Sequence, residues 1–167
     1  MHQFRIGHGY DLHRLEPLPP HGNGRPMVLG GVVIEHDRGP VAHSDGDAVF
    51  HAITDALLGG IAAADIGQQF PDTSAEHDNE DSSRYVIAAL SAITHAGYRI
   101  GNLDVTIICQ QPRISRYKHA MRISIADLLQ CDTSQVNVKG KSHEGVDAVG
   151  EGRAIEVHAI VLLTAIE

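Results

Sequence analysis

Asp11 and His13 stand two positions apart near the start of the chain, and His51 follows in a segment of helical period. On a strand, an i, i+2 pair points both side chains to one face. If the three side chains act together, the end of a strand must meet a helix. The donor set suits zinc, which usually takes four ligands. Catalytic sites commonly draw three from protein and leave the fourth position for water or substrate. The competing reading is a capped amphipathic helix with a solvated polar face, and spacing alone does not choose between them.

With 167 residues the chain is long enough for one domain with a real core and too short for two. The net charge of −8 argues against nonspecific attraction to nucleic acid, so a bound phosphate needs metals, backbone amides or a few chosen cations. No run approaches the ~20 apolar residues that span a membrane, so no membrane partner is expected. Cys109 and Cys131 form no C-x-x-C pair, which fits a reduced compartment. The first residues run straight into strand-like sequence, and no signal peptide is expected. Histidines number 12 against 3 phenylalanines and no tryptophan, so most must be ordinary surface or core residues.

Residues 3–13 read as a strand, and the Pro- and Gly-rich stretch 15–26 as a loop. Strand resumes over 27–34, with Gly30-Gly31 as a bulge or close approach. The clearest helix follows, with Ser44 as its cap and Asp47 completing a short acidic capping box. Val49, Ile53, Ala56 and Gly60 lie on one face, while Asp47, His51 and Asp55 step by four along the other. A second helix over 82–96 takes Ser82 or Ser83 as cap and Gly97 as stop. Strand over 103–110, helix over roughly 116–130, and strands over 135–139 and 155–165 complete the chain. The order β-β-α-α-β-α-β-β predicts an α+β sandwich with helices on one face of the sheet. The last strand turns apolar on both faces, which predicts self-association.

Two further stretches carry chemistry. Asp65-Ile66-Gly67-Gln68-Gln69-Phe70-Pro71-Asp72-Thr73 sets two carboxylates around a turn with free amides, suited to ribose hydroxyls or phosphates. Lys139-Gly140-Lys141-Ser142-His143-Glu144-Gly145 follows a strand and suits a phosphate bound with a hard cation. Its spacing is not that of a Walker loop. Each stretch also reads as an ordinary solvated turn.

Together these segments resemble the methylerythritol cyclodiphosphate synthase family. The resemblance rests on Gly7-His8-Gly9-Tyr10-Asp11-Leu12-His13, Ala42-His43-Ser44-Asp45-Gly46-Asp47, His51-Ala52-Ile53-Thr54-Asp55-Ala56-Leu57-Leu58-Gly59, Asp65-Ile66-Gly67, Phe70-Pro71-Asp72-Thr73 and Asp104-Val105-Thr106-Ile107-Ile108, in order over nearly the whole length. It implies a homotrimer of single-domain, ferredoxin-like subunits packed through their mixed sheets, with active sites between neighbours. The implied ligands of a divalent metal, usually zinc, are Asp11, His13 and His51. Glu144 would hold Mg²⁺ or Mn²⁺ with the diphosphate. His43 and Ser142 match transition-state residues. The resemblance gives substrate contact to Asp11, His13, His43, Ser44 and Asp55; to Asp65, Ile66, Gly67, Phe70, Pro71, Asp72, Thr73 and Ser74; to Cys109, Gln110, Gln111, Pro112, Arg113, Ile114 and Ser115 as the cytidine stretch; and to Lys141, Ser142, His143 and Glu144.

The implied reaction closes 4-diphosphocytidyl-2-C-methyl-D-erythritol 2-phosphate into the 2,4-cyclodiphosphate and expels CMP. The implied location is the bacterial cytoplasm, with a mature plastid form as the other possibility. A zinc phosphohydrolase acting on a nucleotide diphosphate and a trimeric nucleotide-binding protein without turnover are the rival readings. The chain departs from the family at Ala148, Glu151 and Arg153, where an aromatic, an arginine and a glutamate are expected. That stretch helps line the family's trimer axis, so an isoprenoid diphosphate bound there loses its support.

Overall fold

Alternation along the first strand sets the architecture. The computed structural model describes residues 2–70 and 81–166, so Pro71, Asp72, Thr73 and Ser74 lie outside the described residues. Strand β1 (Phe4–Pro17) turns Gly7, Gly9, Asp11, His13 and Leu15 to one side and Phe4, Ile6, His8, Tyr10 and Leu12 to the other. Four more strands join it: β4 (Arg38–Pro40), β5 (Tyr98–Ile108), β6 (Val136–Lys141) and β7 (Ala154–Ala165), in the order β4-β1-β7-β5-β6. All neighbours are antiparallel except β5 and β6, so the sheet is mixed. The fold is α+β, as the order of elements predicts.

Helices α1 (Ala48–Gly60), α3 (Ser83–His95) and α4 (Lys118–Leu129) pack against one side of this sheet. The core between the layers joins Val49, Ile53, Leu57 and Val86 to Leu103, Ile107, Val157 and Val161, all fully buried. The opposite side is open. Phe4, Ile6, Tyr10, Leu12 and Ile160 are exposed there, so the outward residues of β1 and β7 form an apolar face that no described residue covers.

Three sequence expectations need correction. Strand β1 runs on to Pro17 because Leu15, Glu16 and Pro17 pair with Pro40, Gly39 and Arg38; the loop therefore begins later than residue 15. Gly30 and Gly31 are no bulge, though the close approach holds at Gly31, where a Cβ would lie 2.6 Å from Ser124 Oγ. Both have positive φ, +58° and +73°, and make the two-residue turn between β2 (Met27–Leu29) and β3 (Val32–Ile34). Ser44 does not cap α1. Asp47 does, and it is not on a solvated polar face.

Asp47 is completely buried. Its carboxylate accepts from the amides of Val49 at 3.0 Å and Phe50 at 3.1 Å, and from Gly30 at 2.9 Å and Gly31 at 2.7 Å. Burial pushes this carboxyl up to about 6, against the pull of the glycine amides. One side chain thus ends the β2–β3 turn and starts the helix that carries His51. Asp47→Ala should cost about 2–3 kcal/mol, since it removes a cap and orphans buried donors. A denaturant midpoint lowered without change in slope checks this.

Candidate metal centre and substrate clefts

The floor of the site is glycine. A Cβ at Gly7 would sit 1.8 Å from the carbonyl oxygen of Ala56, and one at Gly9 would sit 1.8 Å from that of Ala52. Helix α1 therefore rests directly on the β1 backbone. The next two inward positions are Asp11 and His13, and they meet His51 one turn along the helix. His13 Nδ1 lies 2.7 Å from Asp11 Oδ2, and His51 Nδ1 lies 3.5 Å from the same oxygen. The three side chains lie only partly accessible, at 23, 13 and 14 %.

Asp11 Oδ2 and His13 Nδ1 are buried and, beyond their own 2.7 Å contact and the approach of His51, have no partner among the described residues. Bare buried polar atoms are unfavourable unless something else satisfies them. The candidate ligand atoms of Asp11, His13 and His51 all fall within 4.8 Å of one another. Two ligands at ~2.1 Å from one ion lie no more than about 4.2 Å apart, so small side-chain adjustments suffice to share one. A carboxylate and two imidazoles with orphaned atoms fit a divalent metal. Burial by itself raises the Asp11 carboxyl, but hydrogen bonding and charge from His13 and His51 outweigh it and hold it at about 2. Burial lowers the His51 imidazolium, and Asp11 more than compensates, so its pKa ends above the usual histidine range.

This trio lies in a cleft of ≈ 340 Å³ that also takes in His43, Ser44, Ile66, Gly67 and Phe70. Asp55 and Asp65 act at its edge. Asp55 Oδ1 accepts from the amide of Ile66 at 2.8 Å, and Asp65 caps the short helix α2 (Ile66–Gln69) through the amide of Gln68. Both carboxylates thereby set the position of Ile66 and Gly67. Tyr85 packs against Phe70 with ring centroids 4.7 Å apart and planes tilted by 44°, and its ring centroid lies 5.8 Å from that of His51.

A second cleft of ≈ 500 Å³ opens at the ends of β5 and β6. It is lined by Cys109, Gln110, Gln111, Pro112, Arg113, Ile114 and Ser115 together with Lys118, Lys141, Ser142 and Glu144. Burial lifts the Cys109 thiol to about 11, so it offers no thiolate at neutral pH. His143 turns away from this cleft. Its Nδ1 lies 2.9 Å from Asp147, and its Nε2 lies 3.6 Å from Glu156. Asp11 faces Val157 on β7, which faces Ile107 on β5, so the clefts open at the same end of the sheet. At ~4.8 Å per strand they begin about 10 Å apart, and they share no lining residue among the described residues.

Sequence reasoning missed Ser82. Its hydroxyl is fully buried but makes no capping bond to α3. Asp81 accepts the amide of Ser83 instead. Ser82 Oγ lies 2.9 Å from His51 Nε2 and 2.5 Å from Asp45 Oδ1. No local pattern signals this, because a serine at that position reads as a cap.

A mixed sheet covered by helices on one side, with an Asp/His/His trio at a strand–helix junction, defines a family of small α+β proteins with a candidate metal centre. The chain belongs to the YgbB family, whose model matches residues 4–164. It is 49% identical over 160 residues to the chloroplastic 2-C-methyl-D-erythritol 2,4-cyclodiphosphate synthase of Oryza sativa, covering 96% of this chain and 69% of that protein. The enzyme of the same name from Chromobacterium violaceum is 48% identical, with 96% of this chain and 98% of the relative covered. Among solved structures, IspF from Plasmodium falciparum in complex with CDP superimposes with a TM-score of 0.86 at 36% identity, over 100% of both chains. No helix of the described residues is long and apolar enough to cross a membrane.

Proposed function

We infer that this chain is a 2-C-methyl-D-erythritol 2,4-cyclodiphosphate synthase. Its substrate would be 4-diphosphocytidyl-2-C-methyl-D-erythritol 2-phosphate, and it would work as a homotrimer of single-domain, ferredoxin-like subunits. The observation that carries the reading is the partly buried Asp11/His13/His51 trio, whose candidate ligand atoms converge within 4.8 Å, in a cleft held apart from a second, nucleotide-sized cleft. The names of the relatives and the CDP bound to the Plasmodium structure support the same substrate class. The bacterial and chloroplastic relatives favour a bacterial cytoplasmic or plastid setting.

The reaction needs no protein nucleophile. An oxygen of the 2-phosphate forms a bond to the β-phosphorus, the bond from that phosphorus to the oxygen shared with the α-phosphate breaks, and CMP leaves. Nucleophile and electrophile are one molecule, so positioning supplies much of the rate. Zinc on Asp11, His13 and His51, and magnesium or manganese with Glu144, would neutralise phosphate oxygens as charge redistributes. His43 would donate to the reacting phosphates from one cleft and Ser142 from the other. Ser44, Asp55, Asp65, Ile66, Gly67, Phe70 and the segment from Pro71 to Ser74 would shape the methylerythritol side. Cys109 to Ser115 would hold the cytidine.

Because the clefts stay separate among the described residues of one chain, a working site would join the metal cleft of one subunit to the Ser142 cleft of a neighbour. The exposed apolar face of β1 and β7 would be the packing surface. Co-expression of His51→Ala and Ser142→Ala chains tests this. Each variant alone should be inactive. In a cyclic trimer that mixes the two, one site in three unites intact partners, so random mixing should restore about a quarter of wild-type activity. No recovery from verified mixed trimers would contradict a shared site.

A further inference from the structure

We propose that Ser82 and Asp45 are positioning residues that fix the His51 ring so that its Nδ1 lone pair faces the Asp11/His13 side. The inference rests on reading that trio as metal ligands. Each proton in the chain of contacts is assigned by elimination. Asp45 Oδ1 accepts the amide of Asp47 at 3.1 Å, and its Oδ2 accepts the amide of Ser82 at 3.2 Å. Both oxygens are therefore acceptors, and the single hydroxyl proton of Ser82 goes to Oδ1 at 2.5 Å. That leaves Ser82 Oγ as the acceptor toward His51 Nε2, 2.9 Å away, so Nε2 carries a hydrogen. As a metal ligand the imidazole is neutral and has one N–H, so its other nitrogen must then present a lone pair. That nitrogen is Nδ1, the one 3.5 Å from Asp11 Oδ2.

The same contacts tie three elements together. Ser82 begins α3, Asp45 precedes the cap of α1, and His51 lies one turn into α1. Ser82 gives up the capping bond that serines commonly make, a contribution of about 1 kcal/mol, and its hydroxyl is wholly enclosed by this network. A carboxylate–hydroxyl–imidazole chain behind a ligating histidine is the kind of outer support that orients a ring and fixes its tautomer. Ser44 Oγ, 3.3 Å from the same Nε2, makes a longer secondary contact.

Zinc affinity by chelator competition, measured on wild type and Ser82→Ala at matched folded fraction, tests the proposal. The variant should bind one zinc per chain about 10–100-fold more weakly, a loss that persists once its lowered metal-free unfolding midpoint is allowed for. In the zinc-loaded wild type, ¹⁵N NMR of His51 should show Nε2 protonated and Nδ1 without hydrogen. This second measurement needs no variant, so it decides the matter even if Ser82→Ala fails to fold. Unchanged affinity in a folded variant, or an unprotonated Nε2, overturns the relay alone. Failure of the wild type to take up zinc overturns the metal reading and the relay with it.

Discussion

Replacing His51 with alanine should reduce CMP release by about 10³-fold or more, while the chain stays folded. His51 supplies one of three ligand atoms that converge within 4.8 Å, so its loss leaves a carboxylate and one imidazole, too few to hold an ion at a defined point. Charge stabilisation by a bound metal is worth several kcal/mol in such reactions, and each ~1.4 kcal/mol is a factor of ten. Excess zinc should not rescue the variant, whereas added divalent metal should restore chelator-treated wild type. Metal content measured on the same samples separates the two cases. His51→Ala with full metal content and near-normal turnover would remove the trio from the mechanism.

Gly9→Ala should be nearly as damaging, without touching a polar group. The added Cβ would lie 1.8 Å from the carbonyl oxygen of Ala52, a backbone atom of α1 that cannot rotate aside. The helix would have to lift off β1, carrying His51 away from Asp11 and His13. Overpacking of this kind costs about 3 kcal/mol or more, which in a chain this size lowers the melting temperature by roughly 10 °C. Metal affinity should fall with it. Gly59→Ala is the control: its Cβ would meet only the His8 carbonyl oxygen at 3.8 Å, so it should be neutral or stabilise α1 slightly. Equal stability of the two variants would show that the close approach at Gly9 is not what seats the helix.

Local pattern carried the fold further than it carried the site. Alternation in β1 and helical spacing in α1 were legible because each is a property of neighbouring residues. They were enough to place Asp11, His13 and His51 at a strand–helix junction. What escaped depends on partners far along the chain. Asp47 keeps a period of four with His51 and Asp55, so spacing left open both a metal- or ligand-facing stripe and a solvated one. Only the β2–β3 turn, folding its glycine amides onto the carboxylate, shows it to be buried. Ser82 looked like a cap, and its true partners are Asp45 and His51. The continuation of β1 to Pro17 needed the pairing with β4. The separation of the two clefts is likewise a matter of which strands become neighbours, and β7, last in sequence, stands between them.

Phosphorus NMR of the product tests the central claim most directly. Incubated with 4-diphosphocytidyl-2-C-methyl-D-erythritol 2-phosphate and a divalent metal, the protein should form CMP in equal amount with a species whose two phosphorus atoms couple to each other across an oxygen bridge, the cyclic diphosphate. Water in place of the 2-phosphate would instead give CMP and two uncoupled phosphate monoesters. That second spectrum, or an unchanged substrate, would contradict a cyclising enzyme.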